Sequence, residues 1–164
     1  MKYIYVGKIV NTHGIKGEVR ILSDFKYKDK VFVKGFNIYI GKNKDNKIIN
    51  SYRYHKIFDM ITMVGINNIQ DVLVYKGRDV FVNRDDLVLD DGEYLDDDLI
   101  GLDVVVNDQV VGRVTKYIKD RFQDKIVVNK NEKEYLIPNV SDIILDVNLK
   151  DGNIVVDYIK GLLD

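Results

Sequence analysis

The sequence has no cysteine and no alanine, and a single proline, Pro138. Without cysteine, disulfides and thiolate chemistry are excluded. Its two histidines, His13 and His55, leave little for a histidine-based metal site, and neither a metal nor a cofactor is expected. No apolar run approaches the roughly 20 residues needed to span a bilayer. The opening MKYIYVGKIV alternates instead of forming a signal core. Glutamate is scarce too, 4 residues against 22 aspartates. Scarce Ala and Glu beside plentiful Ile, Val and Tyr argue against a helical protein.

What remains is an ordinary globular composition: 164 residues, 46% hydrophobic and 31% charged, enough for one domain or two small ones. The formal charge of -1 hides a separation. Residues 1–89 hold 16 Lys+Arg and 9 Asp+Glu, a net of +7, whereas residues 90–164 hold 9 and 17, a net of -8. A codon bias toward Lys, Asn, Ile and Asp raises both signs but does not segregate them. Two units with different partners are expected, the basic one suited to nucleic acid.

Strand signals run through both halves. Tyr3–Val10 and Glu18–Leu22 alternate around the glycine-containing turn Asn11–Gly17. Val31–Val33 and Asn37–Ile40 read as short strands, and Lys42–Lys47 as a polar turn. Asn50–Phe58 and Met60–Ile66 read as two more strands, broken at Asp59. Asn67–Lys76 is the best helix candidate, with Ile69, Val72, Leu73 and Lys76 at helical spacing, Asn67 or Asn68 as cap and Gly77 after the last turn. Asp79–Asn83 is the strand that follows. Asp85–Asp98 carries 8 acids in 14 residues and marks the boundary. Beyond it, three hairpins are expected: Asp103–Val106 with Val110–Val114, Lys125–Val128 with Glu134–Ile137, and Asp146–Leu149 with Asn153–Val156. Regularly spaced short strands of this kind suggest a small barrel or sandwich in each half.

No enzyme signature is present: no GxxxxGK[ST], GxGxxG, HExxH or GxSxG. Asp96–Asp98 reads as a solvated linker, since three consecutive acids on an extended chain alternate in direction and do not match a calcium loop. Two features could carry binding. In Thr12–Arg20 (THGIKGEVR), Gly14 and Gly17 permit a sharp turn, Lys16 and Arg20 add charge, and His13 adds a stacking and hydrogen-bonding edge. In Tyr52–Lys56, alternation puts Tyr52, Tyr54 and Lys56 on one face and Arg53 and His55 on the other. Aromatics interleaved with cations can stack on bases and pair with phosphates. The alternatives are an incidental tight turn and a strand with one face on the core.

Several stretches, in order, resemble a known family. Val6–Ile21, VGKIVNTHGIKGEVRI, resembles the amino-terminal signature of the bacterial ribosome maturation factor RimM. Gly92–Leu102 (GEYLDDDLIGL) resembles that family's entry into its PRC barrel, Val111–Val114 (VGRV) a hairpin strand of that barrel, and Leu136–Pro138 with Val140, Ile143, Asp146 and Val147 its LIP…VD segment. Gly161–Asp164 (GLLD) is similar to its terminus. The resemblance implies an all-β chain with one short helix, made of a six-stranded barrel related to translation-factor barrels (1–86), an acidic linker (87–93) and a PRC barrel (94–164). It implies a non-enzymatic, cytoplasmic factor that binds the immature small ribosomal subunit, assists late maturation of its head and supports small-subunit rRNA processing. The PRC barrel and the segment before it are implicated in binding the nineteenth small-subunit ribosomal protein, through Tyr94, Leu95 and Asp98. His13, Gly14, Lys16, Gly17, Arg20, Arg53 and His55 are the rRNA-contacting candidates, and the protein is expected to act as a monomer. Two departures stand out. Leu95 replaces the second of two adjacent aromatics, and Arg121-Phe122-Gln123-Asp124 matches the family's Gly-Ala-x-Asp turn only at the aspartate. The alternatives are a structural or adaptor PRC-barrel protein acting outside the ribosome and a β-barrel enzyme that uses His13.

Overall fold

The alternating stretch at 18–22 forms a strand whose Val19 and Ile21 are fully buried while Arg20 remains partly exposed. This inside–outside rule builds most of the chain. The computed structural model describes residues 1–164 and divides into two units, Met1–Val88 and Leu89–Asp164. None of its helices is long and apolar enough to cross a membrane.

The first unit is a closed six-stranded barrel of β1 (Tyr3–His13), β2 (Glu18–Leu22), β3 (Asn37–Ile40), β4 (Asp45–His55), β5 (Phe58–Met63) and β6 (Asp79–Asn83). The order around the wall is β1-β2-β5-β4-β3-β6, with β6 pairing back onto β1, so no edge is left open. Ile9, Ile21, Ile38, Ile49, Ile61 and Val80 fill the interior. Register shifts at Tyr5/Gly7, Ile9/Asn11 and Ile49/Ser51 bend the long strands around it.

Three expectations for this unit are corrected. Residues 67–76 form two short 3₁₀ turns, Ile69–Asp71 and Leu73–Tyr75, and not an α-helix. Val72 and Tyr75 are buried and Leu73 is exposed, so the inward spacing is three residues, which suits a 3₁₀ turn. Asn68 does cap the first turn, accepting from the Gln70 N–H. The α-helical residues are instead Lys28–Val31 (α1), a single turn that delivers Val31 and Phe32 to the core where a strand was expected. Asp59 does not break a strand. It lies inside β5, and the turn before it is Lys56-Ile57, with Lys56 at φ 60.

The second unit is a six-stranded sheet: β7 (Asp103–Val106), β8 (Gln109–Ile118), β9 (Lys125–Lys130), β10 (Lys133–Pro138), β11 (Ile144–Asn148) and β12 (Asn153–Val156). The order is β10-β9-β8-β7-β12-β11, with only β7 and β12 parallel. Leu99, Val104, Val114, Ile126, Ile137 and Ile154 lie in one core. All three hairpins form. Two of them turn on residue pairs with positive φ, Asn107-Asp108 (50 and 64) and Asn131-Glu132 (53 and 66), the geometry that matches strand twist. The run Asp96–Asp98 is not an extended linker: Asp96–Leu99 is a 3₁₀ turn that buries Leu99.

Gly112 on β8 leaves room for the neighbouring backbone. A Cβ there would lie 2.5 Å from the Asn129 carbonyl oxygen and 3.0 Å from Val128 Cγ1. Gly112→Ala is therefore expected to cost about 1–3 kcal/mol by overpacking, read as a lower midpoint in chemical or thermal unfolding of the second unit. An unchanged midpoint would show that the β8–β9 backbones separate freely.

Candidate functional site

In the first unit, strand register assembles the candidate residues. His13 pairs with Glu18 across β1 and β2, and Arg20 and Arg53 both lie opposite Met60 on β5. His55 lies opposite Phe58. These positions share the outward face of the wall, where Arg53 and His55 were expected to lie together. Met60, at 0% exposure, is covered even though it belongs to this face.

The charges on this face are largely engaged. Arg53 donates from Nε and Nη2 to the two carboxylate oxygens of Glu18, at 2.9 and 2.8 Å. That hydrogen-bonded pair holds the Glu18 carboxyl below its usual range against the opposing effect of burial, and it raises Arg53. Arg20 donates to His13 Nδ1 at 2.7 Å, which places the proton of a neutral ring on Nε2. The Arg20 guanidinium also lies 5.6 Å from the Phe58 ring centre, and its Nε is buried without a hydrogen bond. The two imidazoles are 6.2 Å apart.

The loop Gly14–Gly17 projects Ile15 and Lys16 outward. Gly17 has φ 93, and a Cβ there would lie 2.9 Å from Ile66 Cγ2, so both conformation and space require glycine. The loop is anchored by the Ile69 N–H donating to the Ile15 carbonyl at 2.9 Å.

The other half of the Tyr52–Lys56 pattern serves the fold. Asp59 is completely buried and accepts from Lys28 Nζ at 3.0 Å and from the Tyr52 hydroxyl at 2.6 Å. Burial, then the bond to Asp59 and its charge, push the Tyr52 phenol well up. Phe32 stacks on Tyr52, with ring centres 6.2 Å apart. Tyr52 is thus a structural partner and not a free stacking platform. A buried carboxylate in mid-strand gave no sequence signal, because its partner Lys28 is 31 residues away.

In the second unit, Tyr94 is half-buried against the core and its hydroxyl faces Asn139. Asn139 Nδ2 donates to Tyr94 at 3.4 Å and to the Tyr117 hydroxyl at 3.1 Å, and Tyr117 donates to Asp124 at 2.7 Å. Asp124 also accepts from the Asp120 N–H, the main cause of its lowered pKa. That bond fixes the 120–124 turn and accounts for an aspartate at this position. Tyr94 and Asn139 line a groove of about 280 Å³ with Val140, Ser141 and Leu145. Leu95 is half-buried. Asp98 accepts from the Leu95 N–H at 2.8 Å, so its carboxylate closes the 3₁₀ turn. Asp96 faces Lys119 at 3.3 Å, and no group of His, Cys, Asp or Glu is arranged to hold a metal.

Comparison with known proteins agrees across nearly the whole chain. The RimM N-terminal domain model matches residues 4–87, and the RimM PRC barrel domain model matches 96–162. The chain is 40% identical to the ribosome maturation factor RimM of Staphylococcus haemolyticus, over 98% of this chain and 99% of that one. It is 39% identical to that of Streptococcus mutans, over 100% and 99%. A RimM crystal structure from Pseudomonas aeruginosa is 21% identical, with a TM-score of 0.48 covering 96% of this chain and 98% of that chain.

The Glu18–Arg53 pair makes a pH prediction. A carboxyl lowered by folding contributes stability above its unfolded pKa and loses it as pH falls through the folded value. Arg53→Gln is expected to return the Glu18 midpoint upward toward the ordinary glutamate range in an NMR titration of side-chain carboxyls. A midpoint that does not move would show that the pair does not form in solution.

Proposed function

The chain belongs to the RimM family of ribosome maturation factors, and on that premise we propose that it binds the immature small ribosomal subunit in the cytoplasm as a monomer. There it assists late maturation of the subunit head and supports small-subunit rRNA processing, without catalysing a reaction itself. The observation that carries this reading is the coincidence of charge with architecture. The unit ending at Val88 holds the +7 half of the sequence and the unit beginning at Leu89 the -8 half. A basic unit suits rRNA phosphates, and an acidic unit suits a basic ribosomal protein.

In the first unit the His13–Gly17 loop, Lys16, Arg20 and the Arg53–His55 strand are the rRNA-contacting group. Lys16 is exposed on the loop and available to a phosphate, whereas the Arg20 Nε is buried and Arg20 contributes by holding His13 through Nη2. Arg53 already shares its charge with Glu18, so it positions the face more than it attracts RNA. In the second unit Tyr94, with Leu95 beside it, is the anchor for the nineteenth small-subunit ribosomal protein. Asn139 and Tyr117 hold the Tyr94 ring in place, which lowers the entropy lost when a partner docks on it. Asp98 acts by holding Leu95 in position. Function then consists of binding one arrangement of the head better than its alternatives, which shifts the population toward it.

The protein is expected to co-sediment with immature small subunits and not with mature whole ribosomes. Its affinity for the immature subunit should fall with salt at a log–log slope of about 0.9 per phosphate contact. Tyr94→Ala should weaken binding by roughly 30-fold, the loss of about 2 kcal/mol typical of a central aromatic anchor. A flat salt response would contradict the RNA contacts, and wild-type affinity for Tyr94→Ala would contradict the anchor.

A further inference from the structure

The outward face of β1, β6 and β3 carries an aromatic row that no part of the reading above uses. Tyr5 on β1 lies directly opposite Phe81 on β6, and Phe81 directly opposite Tyr39 on β3. Tyr3, one outward position along from Tyr5, packs edge-on to Tyr39 at 5.3 Å and to Phe81 at 6.4 Å, and Tyr5 meets Phe81 at 6.0 Å. Outward positions of a small barrel wall are ordinarily polar, yet Tyr3 is 38% and Tyr5 50% exposed. At strand spacings near 4.8 Å, a row over three neighbouring strands extends for about 10 Å, room for two or three stacked bases.

Cations border the row. Lys44 Nζ lies 4.4 Å from the Phe81 ring centre and 5.4 Å from that of Tyr3. Lys44 comes from the tight turn after β3, where its N–H donates to the Gly41 carbonyl at 3.1 Å. Beside Phe81 is a recess of about 200 Å³ lined by Lys42, Lys44 and Arg78 together with one acid, Asp79. One cation over the ring faces and two more in the recess beside them, in the unit with net charge +7, match the chemistry of bases joined by phosphates. The other outward positions of β3 and β6 are polar, Asn37, Asp79 and Asn83, so the row is an aromatic strip bordered by cations, and that charge favours a polyanion as its occupant.

We propose that this face is a stacking platform for unpaired RNA, distinct from the His13–Arg53 face, with Tyr3, Tyr5 and Phe81 receiving bases and Lys42, Lys44 and Arg78 receiving the backbone. The proposal goes beyond the assembly reading and is tested without ribosomes. The full chain is titrated into a fluorescein-labelled oligouridylate of about ten nucleotides, a length within the range that one such fold covers, and into an RNA duplex of equal length. Saturable binding is expected, tighter for the single strand, and falling by about 30-fold or more when Tyr3→Ser and Tyr5→Ser are combined. Tyr5→Phe alone, which keeps the ring, should bind as the wild type does. Should the double variant unfold, amide NMR signals of the wild type with the oligouridylate supply the answer, and those of Tyr3, Tyr5, Tyr39, Lys44 and Phe81 should move. The proposal is overturned by no saturable binding, by preference for the duplex, by signal changes confined to the His13–Arg53 face, or by unchanged oligonucleotide affinity in a folded double variant. A double variant that keeps its oligonucleotide affinity but no longer sediments with subunits would identify the face as a protein dock, which also overturns it. Failure of the wild type to sediment with subunits bears on the assembly reading alone.

Discussion

Successive side chains on a strand point to opposite faces, and in a sheet closed on itself the inward half has to fill one small core. The first unit obeys this tightly. Val19, Ile21, Ile61 and Met63 are spent inside, and β2 and β5 keep only Glu18, Arg20, Leu22, Phe58, Met60 and Thr62 for the outside. Every candidate surface on this unit is what the core leaves over. The one inward charge, Asp59, is tolerated because Lys28 and Tyr52 both reach it, which ties the α1 turn to the barrel wall. Removing Lys28 would leave a carboxylate buried with a single hydrogen-bond donor.

Alternation was also the most readable property of the sequence. The strand at 18–22, the separation of Tyr52 from Arg53 and the three hairpins of the second unit follow from period-two patterns and turn residues. The failures share a cause, which is that local pattern does not encode distant partners. Val31 and Phe32 are apolar for the core, and a one-turn helix delivers them as well as a strand would. Ile69, Val72 and Tyr75 recur every third residue, and the overlap of that spacing with Val72, Leu73 and Lys76 suggested an α-helix.

The candidate sites were legible as residue types more than as interactions. Arg53 and His55 share a face as expected, but the engagement of Arg53 by Glu18 crosses 35 residues. Tyr94 was singled out only through family resemblance. Its support by Asn139, 45 residues away, emerged only from the fold. The Tyr5–Phe81–Tyr39 row went unread for the same reason. Only the spacing of Tyr3 and Tyr5 was visible locally, and the register that adds Phe81 and Tyr39 is tertiary.

A near-neutral total charge would suggest a protein indifferent to charged partners, but the two units carry opposite sign, and surfaces of opposite sign suit two different kinds of partner. The central claim is that division of labour. Its most direct test is cross-linking of the full chain bound to immature small subunits, with ultraviolet light joining protein to RNA and a carbodiimide joining carboxylates to lysines. The account predicts RNA adducts on residues 1–88 and carboxylate–lysine links from residues 89–164 to a basic ribosomal protein. RNA adducts concentrated on residues 89–164, with protein links from the first unit, would contradict it.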